Sequence, residues 1–344
     1  MKNSKSLAAL AVLTITLIFG SSQSYASNRQ FSAQSTLLDG TPVSMIIVAD
    51  ESMQKAAESA VSDAVSRITS MDRQIFSTEG FQEKINSLTR SQALELPFEI
   101  FDLISKSVEL SALTKGWFDL AAPSKKDIFI KRDWRRIVLD ENSRTIAFKS
   151  DGMQIDLSKI SKGYYADVAI GEASKAGFGN AMVEIGSIQR NIGQDIFTPW
   201  KVDIGFGEGA SGSFAHRAAS YKIRNIASAT VSENSMGSGL IDGRNKLPVS
   251  QGQMRSVTIL AQNAARATAY ALAVYAIGPK YAMHFVNRHP DAKGIIVDKS
   301  GQIASSEGLN TGSTSLVNRW QTENIKDGGP NDLKKKEQEE NDDL

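Results

Sequence analysis

DLSKISKGYYADVAIGEASKAGFGNAMVEIGSIQRNIG, running from Asp156 to Gly193, is the most densely patterned stretch of the chain. It reads as turn, helix, strand, turn. Ile160, Tyr164, Val168 and Ala169 recur at spacings of three and four, which predicts a helix over Lys159–Ala176 with one apolar face. Gly177 stands where a helix-terminating residue belongs, and Ala181–Ile185 then supplies a short apolar strand. Small residues at the start of the helix leave its first backbone N–H groups free to meet an anion. Lys162 adds a positive charge in the same turn, so the stretch points to phosphate binding.

Working outward, the 344 residues are 41% hydrophobic and 22% charged, enough for one large domain or two small ones, each with a real core. A net charge of +1 gives no electrostatic case for nucleic acid. The absence of cysteine excludes disulfides, thiolate metal sites, a thiol nucleophile and a lipid-attachment residue. His216, His284 and His289 are the only histidines and show no ligand spacing. Lys2 and Lys5 precede an apolar run from Leu7 to Phe19, and Ser24-Tyr25-Ala26 offers the small residues a signal peptidase reads. That run is shorter than the about 18 to 20 residues that span a bilayer. The expectation is a signal peptide over residues 1–26, cleaved to leave a soluble periplasmic protein that begins at Ser27.

Further along, Phe31–Leu38 and Val43–Val48 predict a hairpin about the turn Asp39-Gly40-Thr41-Pro42. Glu51–Ser70 is helical by its period, with Met53, Ala56, Ala60, Val61, Ala64, Val65 and Ile68 on one side. Phe98–Thr114 is a second amphipathic helix, ended by Lys115-Gly116. Asp133–Leu139, Thr145–Phe148, Thr198–Phe206 and Ser256–Ala261 read as strands. The Gly, Ala and Ser content of Gly207–Ser220 predicts a loop or a poorly paired connection. Ala264–Ile277 is an Ala-rich helix stopped at Gly278-Pro279; Tyr281–Asn287 continues as helix, and Gly294–Val297 and Gln302–Ser305 close the fold as strands. From Trp320 onward there is no apolar period, and residues 325–344 read as a disordered charged tail.

The central stretch resembles the motif of the ApbE family of FAD:protein FMN transferases, roughly LDLGGIAKGYAVD followed by a helix and NALVNLGGDIRALG. It matches without a gap at Asp156, Leu157, Ile160, Lys162, Gly163, Tyr164, Asp167, Gly177, Asn180, Ala181, Val183, Gly186, Ile188, Arg190 and Gly193. Gly116, Phe118, Asp119 and Pro123 match a second family turn; Ala229, Thr230, Ile241, Asp242, Arg244 and Pro248 match a third. The resemblance implies an α+β fold of antiparallel or mixed sheets with several packed helices, one domain over residues 27–324 with room for two lobes around a flavin cleft. It also implies FAD as ligand, magnesium as cofactor, and transfer of FMN to a Ser or Thr of a periplasmic electron-transfer protein. The cofactor-binding positions it carries over are Phe118, Asp119, Asp156, Lys162, Gly163 and Leu240.

Several positions depart from the family's pattern. Asp39 stands where the family has a Met that contacts the flavin, and Gly239 where it has a His beside the flavin. The family's Pro-Arg-Thr-Gly turn is Gly243-Arg244-Asn245-Lys246 here. By the same resemblance, magnesium would be held by the backbone carbonyl of Lys159 and by the residues at 268 and 272. Those are Thr268, in place of the family's Asp, and Leu272, in place of its Thr. A hard cation takes oxygen ligands, usually with a carboxylate, and Leu272 offers no oxygen at all. The expectation is therefore a flavin transferase with weak activity, or a noncatalytic relative that binds flavin or a partner.

Overall fold

The structure, a computed structural model, describes residues 27–122, 133–208, 214–232, 240–249, 254–307 and 309. The expected signal peptide and charged tail, together with Pro123 and Gly239, lie outside the described residues.

An eight-stranded sheet carries the architecture. In chain order its strands are β1 (Asn28–Thr36), β2 (Pro42–Asp50), β6 (Ala181–Ile185), β7 (Ile188–Ile192), β10 (Ala227–Ser232), β11 (Met254–Ala261), β12 (Ala292–Asp298) and β13 (Ile303–Ser305). They lie side by side in that same order, and every neighbouring pair is antiparallel. A smaller sheet has the order β3 (Ala93–Glu95), β5 (Thr145–Phe148), β4 (Ile137–Asp140), and β8 (Trp200–Glu208) pairs with β9 (Phe214–Ile223) as a separate hairpin.

Alternation along the strands sorts side chains to two faces, as the period of two requires. On β2, Val43, Met45 and Ile47 enter the main core while Val48 faces a second cluster; on β11, Val257 and Ile259 go one way and Leu260 the other. Against the first face pack α1 (Gln54–Phe76), α4 (Ser161–Lys175), α5 (Ala264–Ile277) and α6 (Pro279–Asn287). The second face is covered by the β8–β9 hairpin through Trp200, Val202, Tyr221 and Ile223. Ile137, Ile146 and Phe148 of the small sheet belong to the same core as the large one, so the small sheet forms no lobe of its own.

Agreement with the expected elements is close where one strong pattern operates. Ala181–Ile185 and Ala264–Ile277 coincide with β6 and α5. Elsewhere the structure corrects the reading. The turn expected after Ile185 is only Gly186-Ser187, and β7 follows at once. Of Gly207–Ser220, expected as a loop or poorly paired connection, Gly207 and Glu208 belong to β8 and Phe214–Ser220 to β9, a pairing that runs through backbone; residues 209–213 lie outside the described residues. Asp133–Arg136, expected as strand, is a 3-10 turn in which the Asp133 carboxylate accepts from Arg135 N. Met53 and Ala56 are exposed and Ala57 is buried instead: Met53 belongs to a 3-10 turn ahead of the helix, and Ala57 shares its face with Val61 and Ala64 at helical spacing. Three further elements escaped the pattern: α2 (Phe81–Asn86) and β3 are too short to show a period, and β10, with six consecutive buried residues, has no alternation to read. The remaining helix is α3 (Phe98–Leu113).

Candidate functional site

Three stretches of chain converge beside the middle of α5. The first, Trp117–Ala122, leaves the end of α3 and is held by buried hydroxyls: Phe118 N donates to Thr114 Oγ1 (3.2 Å) and Leu120 N to Ser111 Oγ (3.1 Å). The second, Gln154–Lys159, pairs with the first, since Ala122 N donates to Gln154 O and Asp156 N to Leu120 O. α2 clamps its outer side. Asn86 bonds both the N–H and the C=O of Ile155, at 2.7 and 3.0 Å, and Gln82 Oε1 accepts from Leu157 N at 2.8 Å. These amide side chains act as a surrogate strand and fix the direction of Asp156.

The third stretch, Leu240–Val249, is a compact turn organised by Asp242, whose carboxylate accepts from Arg244 N and from Asn245 Nδ2 while its carbonyl accepts from Lys246 N. This turn sits directly on the first stretch. Gly243 N donates to Trp117 O, and a Cβ on Gly243 would lie 2.2 Å from Gly116 O, so only glycine allows the contact. The Arg244 guanidinium covers the Trp117 ring at 4.8 Å.

Between these stretches lies a cleft bordered by Trp117, Phe118, Asp119, Asp156, Lys159, Leu240, Lys246 and Leu272. Of the residues expected from sequence, the structure brings Phe118, Asp119, Asp156, Leu240, Lys159 and Leu272 together here. The cleft's volume is about 30 Å³, room for about two water molecules and well below the about 300 to 1,000 Å³ of occupied ligand pockets. Lys246 spans it. Its Nζ bonds Asp119 Oδ2 at 2.7 Å and Ala121 O at 3.0 Å. Burial pushes the Asp119 carboxyl above its ordinary range, against the opposing pull of this ammonium. Burial likewise pushes the Lys159 ammonium down, with Asp156 opposing and the charge of Lys246 adding to the shift.

Three expected residues have other surroundings. Lys162 is not among the residues bordering the cleft; its Nζ pairs with Asp39 Oδ2 at 2.7 Å. Burial works against the Asp39 carboxylate, but hydrogen bonds from Lys162 and Thr41 hold it below its usual range. At the start of α4, Ser161 N already donates to Leu157 O. Gly163 packs against α5: a Cβ there would lie 2.6 Å from Thr268 Oγ1 and 2.7 Å from Ala264 O. Thr268 is buried in that same helix contact and donates its hydroxyl to Ala264 O at 2.7 Å.

The donor set does not fit magnesium. The hydroxyl of Thr268 is turned back onto its own helix, Leu272 presents only carbon, and a Lys ammonium lines the same cleft. Among the described residues no group of three or more His, Asp or Glu could hold a metal ion.

Two residues matching the central motif serve the scaffold. Asp167 accepts from Ala264 N (2.8 Å) and Ala265 N (2.9 Å), capping α5, and pairs with Arg190 Nε at 3.5 Å. They border a larger hollow of about 480 Å³ beside α3, α4 and α5, whose charges are mutually paired, including Arg266 with Asp291 at 2.6 Å and Lys106 with Asp102 at 2.7 Å. Sequence reasoning passed over Lys246 and Trp117 as cleft residues. A lysine in a polar turn reads as solvated, and a tryptophan beside a phenylalanine reads as core.

Compared with known protein families, residues 40–296 match the model of the ApbE family. The chain belongs to the ApbE family. Solved ApbE structures share its fold. The ApbE protein of Thermotoga maritima is 22% identical with a TM-score of 0.68, the match covering 81% of this chain and 97% of that one. The apo form of the flavinyl transferase ApbE of Pseudomonas stutzeri is 18% identical with a TM-score of 0.68, covering 81% and 95%. The flavin transferase ApbE of Vibrio cholerae is 17% identical with a TM-score of 0.65, covering 81% and 98%. A comparison with curated proteins finds no match.

Proposed function

We propose that this ApbE-family chain is an exported FAD:protein FMN transferase-like protein that binds FAD at the cleft bordered by Phe118, Asp119, Asp156 and Leu240, whose about 30 Å³ admits one part of the dinucleotide while the rest lies outside it. The observation that carries the reading is the convergence of these four residues, from three separate stretches, on one cleft in a chain of this family. Phe118 and Leu240 supply apolar wall, while Asp156, whose neighbours Ile155 and Leu157 are clamped by α2, and Asp119, whose side chain is nearly buried, supply polar groups. In the reaction, the hydroxyl oxygen of an acceptor Ser or Thr attacks the FMN phosphorus of FAD. The P–O bond to AMP breaks, AMP leaves with that electron pair, and the hydroxyl proton passes to solvent. Such transfer depends on positioning and on neutralising charge at the phosphates. The acceptor we infer is a periplasmic flavoprotein of an electron-transfer complex.

A second reading, an FAD-binding protein without turnover, is favoured by the apolar Leu272 and the self-bonded Thr268. One incubation distinguishes the two: mature protein, FAD, magnesium and a flavin-acceptor domain, with in-gel flavin fluorescence and released AMP as readouts. Fluorescent acceptor with equimolar AMP supports transfer. Retained FAD without labelled acceptor supports the second reading, and absence of both overturns each. Export is tested on the same preparation, since mass spectrometry of the periplasmic fraction should find Ser27 as the first residue. Intact Met1 in the membrane fraction would overturn it.

A further inference from the structure

We infer that the Lys246 ammonium is a built-in counter-ion for the diphosphate of the bound dinucleotide, so that this chain binds its ligand without a divalent metal; the inference rests on the FAD reading given above. Two independent observations lead to it.

The first is backbone conformation. Lys246 sits at φ +61°, in the left-handed region that side chains avoid and glycine enters freely. It occupies the last position of a turn for which the family resemblance implies glycine. A lysine held there by three neighbouring bonds to Asp242 is a strained choice for a surface turn.

The second is where the side chain goes. Lys246 turns inward, its side chain only 20% exposed, and is fixed between a nearly buried carboxylate and a carbonyl. An ammonium has three donors, and these two bonds occupy two of them. Lys246 borders the cleft, so an oxygen bound there can be offered the third. Leu272, one of the two side chains in the implied metal position, borders the same cleft, as does Lys159. Part of the charge that a divalent ion would bring to a diphosphate is thus supplied from the turn instead, by an ammonium that Asp119 holds in place. Lysine serves this purpose as a compact point charge that needs no ligand set.

The test is calorimetric titration of the mature protein with FAD, with inorganic pyrophosphate and with riboflavin, each in EDTA and in excess magnesium. Wild type should bind FAD and pyrophosphate with affinities that agree within about twofold between EDTA and magnesium. Lys246→Met keeps the bulk and removes the charge; Lys246→Gly removes the side chain at a φ that glycine tolerates, so neither should fail for backbone reasons. Both should weaken FAD and pyrophosphate about tenfold or more while riboflavin, which carries no phosphate, binds as to wild type. Equal loss of riboflavin binding would show that Lys246 only holds the cleft together and would overturn the inference. So would FAD binding that vanishes in EDTA, or variants that bind FAD like wild type. Wild type that binds pyrophosphate through Lys246 but not FAD would overturn the FAD reading alone, and wild type that binds neither would overturn both.

Discussion

At the scale of single residues, the cleft depends on how closely backbones approach. Gly243 is the clearest case, because any Cβ there meets the Gly116 carbonyl oxygen at 2.2 Å and the Trp117 carbonyl oxygen at 2.9 Å. Neither neighbour is the movable end of a flexible side chain. Gly243→Ala should therefore push the 240s turn off the Trp117 turn, at a cost of about 1–3 kcal/mol by the usual range for overpacking. Urea denaturation measures the loss, and the same variant should lose the quenching of Trp117 by whatever binds the cleft. A stability equal to wild type would mean that the two turns do not touch in solution. The charged residues of this site teach a related lesson: Lys162 matches the family's motif yet pairs with Asp39, whereas Lys246, which departs from it, reaches the cleft.

At the scale of elements, α4 and α5 cross where Gly163 faces Thr268 and Ala264. Thr268→Asp would place a carboxylate in a buried helix contact where the present hydroxyl donates to the Ala264 carbonyl. An ionised carboxylate cannot donate, so acceptor would face acceptor. We expect a loss of about 2 kcal/mol or more, and no gain of magnesium affinity while Leu272 remains. Chemical denaturation and calorimetry check both halves, and tight magnesium binding by the single variant would show that the position opens toward the cleft. The same end of α5 also depends on Asp167, which bonds two first-turn amides and pairs with the largely buried Arg190. Removing one partner of a buried pair typically costs about 3–5 kcal/mol, so Asp167→Ala should lower the urea midpoint steeply. A loss below about 1 kcal/mol would mean that the pair is solvated and the cap dispensable.

For the whole molecule, the eight-stranded sheet couples two cores, helices on one face and the β8–β9 hairpin on the other, and the cleft sits over α5 on the helical face. A ligand that binds only the folded state raises its melting temperature by mass action. FAD should therefore raise it, and millimolar magnesium alone should shift it by less than about 1 °C; a larger shift with magnesium, reversed by EDTA, would reveal a metal site. By itself the sequence determined the family's fold, because strong local patterns fall on scaffold: the helices at Ala264–Ile277 and around Tyr164, the β6 strand, and the stops at Gly177 and Gly278. It also identified Phe118, Asp119 and Asp156 as candidates and exposed the mismatch at 268 and 272. What only the tertiary structure decided is which charges meet. Asp119 and Lys246 are separated by more than a hundred residues of chain, and no period or spacing links them; their contact exists because Gly243 lets one turn lie on another. Periodicity reports which face of an element is buried, whereas a site assembled from turns depends on the packing of distant backbones, and that information is carried by the fold as a whole.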